Sequence, residues 1–336
     1  MLRYIARRVV QMIGVMFALS LLIFVWLRML PGGTVSAMLG ERATPERAAQ
    51  LRKTLGLDQP LPVQYWKFLT NALQGKFGVS SQVQAGSDAM DVFLTRLPAT
   101  MELAGLAIVI ALITAIPLGY LAAKRRGGIF DALGIGVSLV GVAVPVFFLA
   151  VVLKQFFAVE WHLLPVSGRQ SPELEATRVT GFFIFDGLMT REFDAAWDAF
   201  KHLILPAIAL ATIPFAVIFR ITRAAVLDVL DEDFIRTAEA KGLKPSTIRT
   251  RHVMRNAMLP VVTTVGLQVG GLLTGAVLTE TVFSIPGLGD AMKVGFQERD
   301  FSVVQVLIIM AALTYVLVNL LVDIAYAYID PRVRIR

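Results

Sequence analysis

The chain is expected to be an all-α polytopic membrane protein with six transmembrane helices, and three observations predict this. Of its 336 residues 56% are hydrophobic and only 17% charged, against roughly 25% charged in ordinary soluble domains. Six stretches, 9–27, 103–123, 132–153, 203–219, 256–279 and 301–322, contain no acidic or basic residue and run from 17 to 24 residues each. At 1.5 Å per residue that length crosses about 30 Å of hydrocarbon, and lipid offers the backbone no partners, so such stretches must be helical. Finally, the basic residues collect at alternate ends. Arg3, Arg7 and Arg8 precede the first stretch, Lys124-Arg125-Arg126 follows the second, eight bases lie between Arg220 and Arg255, and Arg332, Arg334 and Arg336 close the chain. The intervening links are poorer: 160–201 has seven acids against four bases, and 281–300 has only Lys293 and Arg299. The positive-inside bias therefore puts both termini in the cytoplasm.

The first segment, 1–30, is a cytoplasmic N-terminus and a span. Its basic start looks like a secretory signal, but the apolar run exceeds the usual 7 to 15 residues or so and ends in Arg28-Met-Leu-Pro31 without a small-residue cleavage pattern, so it is read as retained. The formal charge of +7 and a pI near 9.8 invite a nucleic-acid reading. It is set aside because the bases sit at helix ends on one side, where topology explains them. With no cysteine, disulfides and thiolate metal sites are excluded, and the external links are expected to be ordered by packing alone.

The external insertion, 31–98, has helical punctuation. Thr44-Pro45 offers an N-cap and first-turn proline, Ala48, Leu51 and Leu55 share a face, and Gly56 stops the helix. A second amphipathic piece follows Pro60 and Pro62, with Tyr65, Phe68, Leu69, Ala72 and Leu73 on one side, ending near Gly75. It reads either as a cap on the outer surface of the bundle or as a platform for an external partner. The rest, 99–336, is a five-span core with an external loop at 160–201, where Phe182, Phe183 and Phe185 form a candidate anchor, and a cytoplasmic loop at 226–255. On the fifth span Gly266 to Gly270 and Gly271 to Gly275 have the GxxxG spacing that lets helices approach closely, within this bundle or against another subunit.

Catalytic constellations are missing. No glycine-rich phosphate loop ends in Gly-Lys-Ser/Thr; Gly242-Leu-Lys-Pro-Ser246 lacks the first glycine and the Gly-Lys pair. His162, His202 and His252 stand far apart without metalloprotease spacing, and the Gly-x-Ser-x-Gly elbow is absent. An intramembrane enzyme thus has neither nucleophile nor metal cluster, and a passive channel does not need the charged internal loop. In that loop Asp231 and Asp233 are N-cap candidates, Phe234, Ile235 and Ala238 fall at helical spacing, and Gly242 fits a left-handed stop. The result is a short helix with an apolar stripe and the basic flanks Lys244, Arg249, Arg251 and Arg255, suited to a docking partner or to anionic lipid.

Arg236-Thr-Ala-Glu-Ala-Lys-Gly242-Leu, with His252-x-x-Arg255-Asn-Ala-Met-Leu-Pro260, resembles the cytoplasmic loop signature of ABC importer permeases, and more narrowly their peptide and nickel branch. The resemblance continues through Leu55-Gly-Leu-Asp-x-Pro60 with Gln64-Tyr65, Arg96-Leu-Pro-Ala-Thr100, Gly141 with Pro145, Pro165-Val-Ser-Gly168, and His202 with Leu205-Pro206-Ala207. Glu280-x-Val-Phe-Ser-x-Pro-Gly-Leu-Gly289 and Asp323 with Asp330-Pro-Arg-Val-Arg334 complete it. Thr180-Gly-Phe-Phe-Ile-Phe-Asp186 is most similar to the B-type permease of dipeptide importers. Two departures stand out: Pro31-Gly32-Gly33-Thr34 where the family usually reads Pro-Gly-Asp-Pro, and Glu239 where a basic or neutral residue is common.

The resemblance implies a type I ABC importer permease fold in a bacterial inner membrane. It implies a second, similar permease, two ATPase subunits that bind the ATP and magnesium, and an external binding protein that delivers peptide; the chain itself would be non-catalytic and carry no cofactor, metal or nucleic acid. Nickel chelates, glutathione or haem are the alternative cargo. Phe234, Ile235 and Ala238 would pack into an ATPase groove, Arg236, Thr237 and Lys241 would surround them, and Gly242 would end the helix. For the path and gate the candidates are four. Gln268 serves either a helix-helix hydrogen bond or the solute, Asn319 and Asp323 pair or anchor the tail, and Glu280 is a gate or caps the turn at Pro286-Gly287.

Overall fold

The computed structural model describes residues 2–29, 35, 44–54, 56–174 and 176–329, and among them every extended element is helical. In chain order these are α1 (Leu2–Met29), α2 (Pro45–Thr54), α3 (Leu61–Leu73), α4 (Ala89–Lys124), α5 (Ile129–Ala143), α6 (Val146–Leu153), α7 (Phe183–Met189), α8 (Phe193–Leu230), α9 (Asp233–Ala240), α10 (Arg255–Phe283), α11 (Leu288–Gln297) and α12 (Phe301–Ile329). Segments Ile248–Met254, before α10, and Lys154–Glu160, after α6, are π-helical. Leu55, the Pro31 to Thr34 departure and the tail from Asp330 onward lie outside the described residues, as do the side chains of Leu51 and Asp323.

Four helical stretches, Ala6–Met29, Ala89–Lys124, Phe193–Leu230 and Phe301–Val322, are long and apolar enough to cross a membrane unaided. Two bent pairs bring the number to six. One corrects the sequence reading: 132–153 is not a straight span but α5 and α6 meeting at 103°. Pro145 has no N–H to continue the ladder and disfavours helical backbone at the residue before it, and Val144 is extended at φ −80° and ψ 124°. The other, Pro245–Leu272 with Gly275–Phe283, bends by 53°. Pro206 and Pro214, by contrast, lie inside α8 without breaking it, and its 38 residues run well past both ends of the expected 203–219.

The described residues form two compact units, one within 101–285 and 317–329, the other within 2–100 and 286–316. They are defined by packing, whereas the segments 1–30, 31–98 and 99–336 are defined by sidedness and stand as a topological proposal. In the first unit α8 is the most enclosed span, with 67% of its apolar window buried. Lipid is as apolar as leucine, so helices associate in it through close packing and not through transfer from water. Small residues supply that closeness: a Cβ on Gly134 would sit 2.4 Å from Phe219 Cζ, and one on Gly266 would sit 1.9 Å from Val322 Cγ1. Gly266 thus serves packing within this chain. Between α5 and α8, Asp131 accepts from Arg223 through Nη2 at 2.8 Å.

The second unit is built around Ile23, Leu27, Phe77, Val92, Phe93, Val303 and Leu307. Here α2 starts as expected, with Thr44 Oγ1 accepting from the Arg47 N–H at 3.3 Å, and α3 places Tyr65 and Phe68 against Phe24 of α1. Leu73 departs from the expected face and is 80% exposed.

Candidate coupling joint and outer charge cluster

Helix α9, in the loop expected to face the cytoplasm, starts after Glu232, extended at ψ 141° and making no side-chain cap; neither Asp231 nor Asp233 is the N-cap residue, which corrects the expectation. Its end is as the sequence predicts. Gly242 has φ +72°, a region a β-carbon disfavours. The Gly242 N–H donates to Glu239 O at 2.9 Å and the Leu243 N–H to Ala238 O at 3.2 Å, the paired bonds of a Schellman stop.

Ile235 and Ala238 project inward. They are buried in an apolar cluster with Ala123 of α4, Ala225 and Val226 of α8, Ile248 and Val253 of the π-helical segment, and Ala257 of α10. The groove contact expected of all three apolar residues is therefore narrowed: water drives Ile235 and Ala238 onto the ends of the chain's own spans, since a buried side chain of this size gains about 1.5–3 kcal/mol. Phe234, 41% exposed, keeps an outward face together with Arg236, Thr237, Glu239, Lys241 and Gly242. Arg236 reaches only Asp233, at 3.6 Å on the surface, a contact worth little. Beyond Gly242, Ser246, Thr247, Thr250, Arg251 and Arg255 line an open depression of about 580 Å³.

The link between α6 and α8 is organised by charge. Arg169 donates from Nη2 to Glu102 Oε2 at 2.6 Å and to the Gly181 carbonyl at 2.9 Å, and Glu102 Oε1 accepts from the Ile184 N–H at 2.7 Å. Both side chains of the pair are at most 7% exposed. The guanidinium carbons of Arg169 and Arg178 lie 3.8 Å and 3.3 Å from the Phe183 ring centroid. Burial pulls the Arg169 guanidinium below the ordinary arginine value, while the bond to Glu102 and the charges of Glu102, Asp186 and Glu280 oppose it.

Asp186, fully buried, accepts from the N–H groups of Val179, Thr180 and Gly181 and from the Thr180 hydroxyl. Burial pushes its carboxyl up, but the Thr180 hydroxyl and the three amides outweigh that and hold it below 3.8. Asp198 accepts from the Ser171 N–H at 2.7 Å and its hydroxyl at 3.0 Å, and His202 Nδ1 lies 2.9 Å from the Asp198 carbonyl. In the second unit Asp300 Oδ2 similarly accepts from Ser80 Oγ at 2.7 Å and from the N–H groups of Ser81, Gln82 and Val83. The expectation that the cysteine-free links are ordered by packing alone is thus corrected: buried carboxylates collect backbone amides that no ladder satisfies.

The sequence motifs meet in space. Lys154 Nζ donates to the Val282 carbonyl at 2.7 Å and the Gly168 N–H to the Phe283 carbonyl at 2.9 Å, closing the end of α10, where Ser284 is left-handed at φ 52°. Arg96 reaches Asp290 at 3.4 Å and Thr100 Oγ1 accepts from the Leu288 N–H at 2.8 Å. Of the path candidates, Glu280 is fully buried near the outer cluster and its carbonyl accepts from the Ile285 N–H at 2.9 Å; Gln268 and Asn319 are half-buried; the side chain of Asp323 lies outside the described residues.

Residues 115–335 match the family described as binding-protein-dependent transport system inner membrane component, and residues 1–104 match its N-terminal companion. The chain belongs to this family. It is an integral inner-membrane component of a transport system that works with an ATPase and a substrate-binding protein. Curated relatives agree over full length. It is 44% identical to the dipeptide transport system permease protein DppB of Escherichia coli K12, across 99% of each chain. It is likewise 44% identical to the di/tripeptide transport system permease protein DppB of Pseudomonas aeruginosa, again across 99% of each chain. Among solved structures, a chain of the inward-facing MetNI methionine ABC transporter superposes with a TM-score of 0.53 at 15% identity, covering 72% of this permease and 97% of that chain, which establishes the shared type I importer fold.

Sequence reasoning missed Glu102, Arg169 and Asp300, and quoted Asp186 as the end of a motif without a role. Their signal was position, each lying within a few residues of a quoted motif or directly before a span, but nothing in a one-dimensional pattern pairs Glu102 with Arg169.

Proposed function

We propose that this permease carries dipeptides or short peptides inward by ATP-driven alternating access. The observation that carries the reading is the 44% identity to the E. coli dipeptide permease across 99% of both chains. The assembly is a second, similar permease, two ATPase subunits on the cytoplasmic loops and an external binding protein; ATP and magnesium stay with the ATPases, and the chain itself is not catalytic. Both termini are cytoplasmic, with 31–98 and 160–201 outside.

In this reading α9 is the coupling helix. Phe234, Arg236, Thr237 and Lys241 meet the ATPase, while Ile235 and Ala238 tie the same helix to α4, α8 and α10, so that a displacement of α9 tilts three spans together. Gln268, Asn319 and Asp323 border the path, and Glu280 with Arg169 belongs to the outer gate. The test is uptake by the full assembly in proteoliposomes. Labelled dipeptide should accumulate only with ATP inside the nucleotide-binding compartment and with the binding protein present. Accumulation of a nickel chelate, glutathione or haem in place of dipeptide would overturn the cargo, and uptake without ATP would overturn the mechanism.

A further inference from the structure

The link 31–98 reads as external, yet one of its helices lies against the span and not above it. Tyr65 of α3 shares a hydrogen bond with Ser20 of α1 at 2.9 Å and meets Phe24 edge-on at 5.1 Å; Phe68 meets Phe24 at 5.8 Å, and Arg28 donates to Gln64 Oε1 at 2.8 Å and 3.0 Å. The charge-free apolar stretch of α1 ends at Leu27. At 1.5 Å per residue, Phe24 lies about 5 Å and Ser20 about 10 Å inside that end. This depth is that of helices lying in the interface, whose apolar faces sit about 5–10 Å into the boundary between headgroups and acyl chains.

The outward side of α3 has the composition such a depth demands. At 100° per residue, Tyr65, Phe68 and Ala72 make one face, the one turned to α1. Val63, Trp66 and Leu73 make a second, and Trp66 and Leu73 are 65% and 80% exposed. Lys67 and Asn71 form a narrow polar strip between the ends of this arc, and both are exposed. The exposed apolar face runs on into that of α1, because Phe17, itself 52% exposed, touches the Tyr65 ring edge-on at 6.0 Å. The exposed tryptophan is the residue type that collects at membrane interfaces, and a lysine beside it can extend its ammonium to the headgroups.

We propose that α3 is an interfacial helix seated in the outer leaflet beside the first span, with lipid acyl chains covering Val63, Trp66 and Leu73. Continuity with the lipid-facing side of α1 selects this occupant over a protein partner. The insertion then anchors the N-terminal span laterally, whichever solute is carried.

The cysteine-free chain allows single nitroxide labels at Trp66, Leu73 and Lys67 in the full assembly in vesicles. Labels at 66 and 73 should be relaxed several-fold more by molecular oxygen, which concentrates in lipid, than by a water-soluble nickel chelate, with the order reversed at 67. Strong relaxation by nickel at 66 and 73 would place the face in water, and protection from both agents would place it under a protein partner; either result overturns the proposal. Fluorescence of unlabelled assemblies gives a second reading. Lipids brominated along their acyl chains should quench the difference between the native permease and its Trp66→Phe variant, and an unquenched difference signal counts against a lipid contact.

Discussion

The joint at α9 and the link between α6 and α8 both connect spans, and they are held by opposite means. At the joint, an isoleucine and an alanine enter an apolar cluster and the one conspicuous polar device is the Schellman stop at Gly242. Around the link between α6 and α8 a guanidinium and three carboxylates, Glu102 of α4, Asp186 of the link and Asp198 of α8, are buried, and the carboxylates collect amides from 171 to 184. Apolar contact is tolerant of small rotations because it has no preferred angle, whereas charge-assisted bonds near 2.7 Å are directional. In the proposed mechanism α9 passes movement to three spans, which suits the first kind of attachment, and a surface that holds one shape suits the second.

The largest expected effect breaks the outer side. Arg169→Ala leaves Glu102 buried with only the Ile184 amide, and stranding one partner of a buried pair costs about 3–5 kcal/mol. Link 160–201 should then open to protease in the folded permease while α9 stays protected. Replacing both partners by methionine should recover most of the loss, since similar-sized apolar pairs are often neutral or better. Equal resistance of Arg169→Ala and the native permease would show that the pair does not hold the link.

The next effect separates the two faces of α9. Ile235→Ala removes a buried side chain and should loosen the joint by about 2–5 kcal/mol, lowering transport and transport-coupled ATP hydrolysis together. Phe234→Ala should leave permease stability within about 0.5 kcal/mol, as exposed substitutions do, yet reduce co-purification with the ATPase. The reverse pattern would mean the inward and outward faces of the helix are exchanged. Smaller still is Gly242→Val, which strains the left-handed stop by roughly 1–2 kcal/mol. A β-carbon added there meets nothing within 4 Å, so the bundle should insert normally and only coupling should fall; unchanged uptake would remove the stop from the mechanism.

Legibility follows the same division. Period, length and basic-residue bias are properties of single segments, and they gave the six apolar runs, the start of α2 and the stop at Gly242 directly. The inward turn of Ile235 was not legible, because a stripe of apolar residues does not say whether its cover is the same chain or another. Nor was the fracture at Pro145: a proline inside an apolar run reads alike in α5 to α6, where the chain bends by 103°, and in α8, where Pro206 and Pro214 lie inside one continuous helix. The outer cluster was least legible, since Glu102 and Arg169 are brought together only by the fold.

The smallest effect distinguishes the two regions by acid. Asp186 in the native permease titrates below the ordinary aspartate value of 3.8, and the exposed Glu192, bonded by the Thr177 hydroxyl and amide, titrates below 4.5. A carboxylate whose folded value is depressed takes up its proton more readily in the unfolded chain. Its contribution to stability is therefore complete above the ordinary value and is lost as the pH falls through the folded one. Neutral or mildly acidic surroundings should leave both regions unchanged. Below pH 3.8 or so, exchange protection at Val179, Thr180 and Gly181 should decline, while α9, held by apolar contacts of Ile235 and Ala238, keeps its own. Asp186→Asn should remove most of the acid dependence and lower protection at every pH, because its amide end presents N–H groups to a site made of donors. If the outer amides and α9 lose protection at the same pH, carboxylates are not what sets the two regions apart.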